Sequence, residues 1–334
     1  MNEFDIIENI KKWVSSKEKQ TSLIGIGDDA AVIPPFKDKL LISKDALVEG
    51  VHFTRNITSF YELGWKALSV NLSDIAAMGG MPLFALISFA CPARNIKLEN
   101  LKDFYNGFRE LADLASGLQL IGGDTVKSKS DIFISVTILG KCLGGKPILR
   151  NNAQDQDYIC ATGTFGDAAF GLEKLLAGEN IDSFFANRFN KPTPRFREGI
   201  IIGENQLANA MMDVSDGLSF TLHEMAEKSD KKFEIYYDKI PVSKNLKQNS
   251  EKFMDYALYG GEDYELIFCA PQKKLEDVKN LIPNATVIGR VKNGDGVKFL
   301  NSKGEAVCVE RKGYNAYNCV ETPNLGVSTN GCSN

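Results

Sequence analysis

The longest uncharged run of the chain, Ile75 to Ala93, is long enough to cross a membrane in principle, but Gly79, Gly80 and Pro82 cut it in two. It therefore reads as the end of a helix followed by a buried strand, Pro82 to Pro92. The flanking segments continue that alternation. Gly64 to Met78 carries Trp65, Leu68, Leu72, Ile75 and Ala76 on one helical stripe, with Asn71 and Asp74 on a neighbouring face. Leu98–Leu118 reads as a helix and Ile132–Cys142 as a strand. Leu40–Phe53 is strand-like but turns polar in its middle, which predicts two strands around a loop with Asp45 at the interruption. Beyond Asp157, segments YICATG, AAFGLEKLL, NAMMDVSDG, LSFTLHEMAEKS, YELIFCAP and ATVIGRV alternate in the same way. The fold class predicted is mixed α/β (α+β).

With 334 residues, 43% apolar and 25% charged, the chain has material for two cores and no global disorder. The turn-rich stretch Gly144–Gln156 marks the junction. This predicts a first domain over 1–146, a second over 147–320, and a tail over 321–334 without apolar periodicity. The chain holds 39 Lys plus Arg against 43 Asp plus Glu, a net charge of −4, and lacks a basic stripe, so no nucleic-acid partner is expected. Seven scattered cysteines without a C-x-x-C pair predict reduced thiols and a cytoplasmic protein. Met1–Val14 mixes acidic residues with apolar ones at helical spacing, which predicts an amphipathic helix and no signal peptide or membrane anchor.

Two glycine motifs resemble phosphate sites and fail on context. Gly25-Ile-Gly27-Asp-Asp-Ala30 has the letters of a dinucleotide fingerprint, yet a strand-like run and Pro34-Pro35 follow where a helix is required. Gly140 to Lys146 approaches a P-loop, but Pro147 stands where the Mg²⁺-binding hydroxyl belongs. It is read as a strand-end turn.

Carboxylates beside glycine or in turn-like contexts carry more information: Asp28 and Asp29 in GIGDDAA, Asp45 in SKDA, Asp74 in LSDIAAMGG, Asp124 in IGGDT, Asp213 and Asp216 in DVSDG, Glu262 and Asp263 in GGED. Each alone is ordinary turn chemistry. Were several to converge, each like-charge pair near 4 Å would cost about 4 kcal/mol at an effective dielectric of 20. Hard oxygen ligands without a Cys or His cluster select Mg²⁺, which commonly joins protein carboxylates to substrate phosphates. Ser215 is expected to N-cap the helix that follows Gly217, whose free amides and positive dipole end suit an anion.

Taken in order, the motifs GIGDDAAVI, SKDALVEGVHF, LGWKALSVNLSDIAAMGGMP, IGGDT, MMDVSDGLS, YGGEDYELIF, VIGRV and GYNAY closely resemble the thiamine-monophosphate kinases, relatives of aminoimidazole ribonucleotide synthetase. VEGVHF and GGEDYELIF favour this kinase over its sister enzymes. The resemblance implies ATP-dependent phosphorylation of thiamine monophosphate to thiamine diphosphate. It further implies a two-domain fold whose N-terminal sheet joins a barrel-like homodimer core. Carried over by motif, Asp29, Ser43, Lys44, Asp45, Asp74, Asp124, Asp213 and Asp216 correspond to Mg²⁺ sites. Asp45, Asp124, Asp213 and Asp216 among them are assigned to catalysis. Gly123, Asp124, Arg150 and Ser215 correspond to ATP contacts, and His52, Glu262 and Tyr317 to contacts with the thiamine phosphate. Lys44 stands where many family members carry Thr, so a backbone carbonyl or water would replace that hydroxyl.

Three alternatives differ in their products. A sister ATP-dependent synthetase or ligase would not make thiamine diphosphate, a phosphohydrolase would release inorganic phosphate without an acceptor, and a non-catalytic thiamine phosphate binder would form no ADP.

Overall fold

The computed structural model describes residues 3–14, 26, 30–33, 35–92, 97–115 and 117–314. The chain divides into two compact units, Met1–Leu149 with Asn190–Ala208, and Arg150–Phe189 with Asn209–Asn334. The second does not run unbroken from residue 147, because Asn190–Ala208 packs with the first.

The first unit opens with α1 (Glu3–Val14), β1 (Leu40–Val48), α2 (Phe60–Ala77), β2 (Gly80–Pro92), α3 (Leu98–Leu114), β3 (Gln119–Ser128) and β4 (Phe133–Cys142). Its four strands form one sheet in the order β1-β4-β2-β3, with β2 and β3 parallel and the other pairs antiparallel. The parallel pair is joined through α3, as a parallel connection requires a crossover. Ser59 caps α2 in a reciprocal capping box with Glu62. That helix is buried on almost every side, Leu63, Leu68 and Leu72 included, because it meets the sheet and α3. Leu40–Phe53 holds one strand, β1, followed by a tight turn, in place of the two expected around a loop. Its polar residues Ser43 and Asp45 alternate with the exposed Leu40, Ile42, Lys44 and Ala46, so the polar middle is one face of a continuous strand. The glycine-rich stretch after β4 is a turn, with Gly144 and Gly145 at φ +61° and +81°.

The second unit carries β5 (Tyr158–Ala161), α4 (Asp167–Leu176), α5 (Ser183–Asn190), β6 (Ala210–Val214), α7 (Leu218–Ser229) and β7 (Lys232–Tyr236), with the first unit's α6 (Phe196–Asn205) falling between α5 and β6 in sequence. Short helices α8 (Lys244–Asn249) and α9 (Phe253–Tyr259) precede β8 (Glu265–Ala270), α10 (Leu275–Leu281), β9 (Thr286–Lys292), β10 (Val297–Leu300) and β11 (Ala306–Val307). Seven strands make one sheet, β11-β10-β7-β9-β5-β8-β6. Every residue of β6 and β8 is buried, as the near-continuous apolar runs of the sequence predict. No helix among the described residues is long and apolar enough to cross a membrane. Cys91, Cys142, Cys160, Cys269 and Cys308 are free thiols.

Buried polar contacts join α6 packing in tying 190–208 to the first unit. Trp65 Nε1 and Ser69 Oγ both donate to the Pro192 carbonyl at 2.8 Å. The Asn190 carboxamide accepts from Thr58 Oγ1 at 2.8 Å and donates to the Ile57 carbonyl at 2.7 Å. Asn190→Ala would strand two buried polar groups, and we expect it to lower the urea unfolding free energy by about 2 kcal/mol. An unchanged midpoint would contradict this anchoring.

Candidate active site

In the first unit the candidate residues gather where β1 runs over the C-terminal half of α2. Strand alternation turns Ser43 and Asp45 to the inner face. Ser43 Oγ donates to Asp74 Oδ2 at 2.5 Å. The Asp45 N–H donates to Asn71 Oδ1 at 3.1 Å, and Asn71 Nδ2 donates in turn to the Ala67 carbonyl at 3.0 Å, which fixes the amide's orientation. Asn71 and Asp74 lie three residues apart on one helix face, the spacing that presents both to the strand.

Other residues of the same motifs lie elsewhere. Asp45, Val136, Ile87 and Gly123 form one row across the sheet, and Ala46, Ser135, Ser88 and Asp124 form the next. Asp124 therefore stands in a strand, not in the turn its glycines predict, one rung along and on the opposite face from Asp45. The two edge strands are about 14 Å apart, three interstrand steps of about 4.8 Å. Lys44 shares that opposite face and is exposed. Gly123 is required by contact: a Cβ there would lie 2.0 Å from the Ile87 carbonyl oxygen. In the turn after β1, His52 Nδ1 accepts the Val48 N–H at 3.0 Å, so the neutral ring carries its proton on Nε2.

The second unit gathers Asp213, Ser215, Asp216 and Glu262 around the turn from β6 into α7. Asp213 is the next-to-last residue of the buried strand and is 8% exposed. The residue capping α7 is Gly217, without a side-chain cap, so Ser215 is not the N-cap that its spacing suggests. The Ser215 side chain is instead hydrogen-bonded to Asp216. Burial, then the charges of Asp213 and Glu262, push the Asp216 carboxyl up to about 6, against the opposing Ser215 hydrogen bond. The Glu262 N–H donates to the Ser215 carbonyl at 2.7 Å, bringing the GGED loop onto the turn. Asp263, which its motif offers as a further oxygen ligand, is 8% exposed and faces away, its carboxylate accepting the Gly166 N–H. Arg150 is exposed at the start of this unit. Asp28, Asp29, the Gly25–Gly27 glycines, Tyr317 and the 321–334 tail lie outside the described residues.

The donor set fits Mg²⁺. Asp45, Asp74 and the Ser43 hydroxyl in one unit, and Asp213 and Asp216 in the other, carry the hard oxygen atoms that such an ion takes. Among the described residues no group of three His, Cys, Asp or Glu side chains is assembled around an ion-sized point.

The chain matches the AIR synthase related protein family, its N-terminal domain over residues 27–142 and its C-terminal domain over 182–300. It is 36% identical over 329 residues to the thiamine-monophosphate kinase of Bacillus subtilis (strain 168), covering 95% of this chain and 100% of that protein. Its fold superposes on AaThiL complexed with AMPPCP and TMP with a TM-score of 0.76 at 36% identity, covering 94% of this chain and 97% of that one. Hydrogenase maturation protein HypE in complex with ATP shares the fold with a TM-score of 0.78 at 18% identity, covering 91% and 92%.

A carboxyl raised to about 6 in the fold, against about 3.9 in the unfolded chain, favours folding at low pH, and that contribution disappears as pH rises through 6. In the absence of divalent cations, Asp216→Asn should therefore raise the melting temperature at pH 7.5, by a few degrees after allowance for solvent screening, with the gain closing below pH 4. A variant no more stable than the parent at pH 7.5 would contradict the crowding of charge at this turn.

Proposed function

The chain belongs to the thiamine-monophosphate kinases, within the AIR synthase related proteins, and from that membership we propose that it transfers the γ-phosphoryl group of ATP to thiamine monophosphate, giving ADP and thiamine diphosphate. The observation carrying this reading is the match over 94% of the chain to a relative complexed with AMPPCP and TMP. The site chemistry supports it. The acceptor is a phosphate monoester, largely ionised at pH 7, so it needs no strong general base. A chain with two histidines meets that requirement.

The task is to bring two polyanions together and align the in-line attack. Asp45, Asp74 and Ser43 in the first unit, and Asp213 and Asp216 in the second, are the proposed Mg²⁺-holding groups. The bound ions would supply charge neutralisation for the transferring phosphoryl group. Ser215 and the uncapped amides of α7 are suited to phosphate oxygens. Glu262 and His52, through its Nε2–H, are proposed to orient the acceptor. Gly123, Asp124, Arg150, Lys44, Asp29 and Tyr317 enter this reading through their motif matches alone.

A homodimer belongs to the same proposal. Ile42, Val126 and Phe133 are exposed on one face of the first sheet, an apolar surface suited to a second copy. The free cysteines support a cytoplasmic setting.

With ATP and Mg²⁺, the protein should form ADP and thiamine diphosphate in equal amounts, and only when thiamine monophosphate is present. ADP without thiamine diphosphate would overturn the reading in favour of a sister enzyme or phosphohydrolase. Asp45→Asn should retain the fold and lose turnover by roughly 10³-fold, the order seen when a group stabilising transferring charge is removed. Near-normal activity would remove Asp45 from the metal set.

A further inference from the structure

Five non-glycine residues among those described adopt positive φ. Gln206 and Asp230 are helix C-caps, where left-handed backbone is common. Gln156 lies in the turn just before β5. The remaining two, Glu262 at +72° and Tyr264 at +50°, flank a single residue, Asp263. Such paired outliers persist only where the surroundings over-determine them.

The restraints are visible on both sides. The Glu262 N–H donates to the Ser215 carbonyl at 2.7 Å and the Tyr264 N–H donates to the Val214 carbonyl at 2.9 Å. Gly261 lies so close that a Cβ would stand 2.6 Å from the Ser215 oxygen. Those contacts hold the loop's backbone against the β6–α7 turn. Asp263 holds the other side. Its two carboxylate oxygens accept the Gly166 N–H at 3.1 and 2.9 Å, and Gly166 is the N-cap of α4, where the helix dipole favours an anion. The neighbouring groups are already engaged. Asp167 accepts from Ser243 and Thr164, Glu265 accepts from Thr162, and Arg188 reaches Thr164 at 3.2 Å. Asp263 is thus the side chain that joins the strained loop to α4.

We propose that Asp263 is a positioning residue, which locks the left-handed loop at Glu262 and Tyr264 and thereby sets the Glu262 carboxylate for the phosphate acceptor. The consequence for the acceptor rests on the kinase reading above. The holding of the loop does not.

The test compares Asp263→Asn, which keeps an oxygen for the Gly166 N–H, with Asp263→Ala and Asp263→Ser, which cannot reach it. Hydrogen–deuterium exchange of the full chain would be followed at the Glu262 and Tyr264 amides, beside steady-state kinetics with thiamine monophosphate and ATP. The Ala and Ser variants should exchange these two amides at least about tenfold faster, with the β6 and β8 amides unchanged. Their KM for thiamine monophosphate should rise about tenfold and their KM for ATP stay within about twofold. The Asn variant should match the parent on both counts. Unchanged exchange in whichever of the Ala and Ser variants folds would overturn the proposal, as would faster exchange with an unmoved acceptor KM. If the parent lacked kinase activity, the proposed function would fail separately, and the exchange comparison would still decide whether Asp263 holds the loop.

Discussion

At the turn between β6 and α7 three carboxylates, Asp213, Asp216 and Glu262, are held partly or wholly out of water, close enough that two of them raise the proton affinity of the third. Left to itself, such a group would relax by moving its carboxylates outward. The second unit prevents this with backbone contacts. Asp213 is locked in a buried strand, Glu262 is tied to Ser215, and the Tyr314 N–H holds the Asp216 carbonyl at 3.0 Å. The sheet and α7 thus maintain an excess of negative charge that a hard cation, arriving with phosphate oxygens, would relieve. The fold's stability thus supports a carboxylate cluster that is electrostatically unfavourable by itself.

The first unit solves a related problem differently. Its carboxylates lie beside polar partners drawn from a neighbouring helix: Ser43 donates to Asp74, and Asn71 accepts the Asp45 N–H. Here α2 is buried nearly all round, and two of its buried polar residues, Ser69 and Asn71, are bonded, one to Pro192 and the other within the helix and to β1. Packing of the 190–208 segment and positioning of the site are therefore served by the same helix.

Much of this was legible in the chain. The uncharged run broken by Gly79, Gly80 and Pro82 resolves into the end of α2 and β2, and the apolar AMM and ELIFCA runs become the buried strands β6 and β8. What escaped were features decided by tertiary context. β1 looked like two strands because its exposed face carries Leu40 and Ile42 while its inner face carries Ser43 and Asp45, the inverse of the usual pattern. β3 was hidden because Gly122-Gly123 reads as a turn, whereas close approach to β2 is what demands glycine at 123. Ser215 matched a capping pattern, but its hydroxyl goes to Asp216 and Gly217 takes the cap. The Asp263 anchor could not be read from GGED, since its partner Gly166 lies 97 residues away.

Carboxylates crowded in this way should make phosphate binding conditional on a divalent cation. The most direct measurement is calorimetric titration of a non-hydrolysable ATP analogue into the full-length protein, with saturating Mg²⁺ and again with a chelator. Clear binding is expected with Mg²⁺ and at least a hundredfold loss without it, about 2.7 kcal/mol. Equal affinity in the two conditions would contradict it.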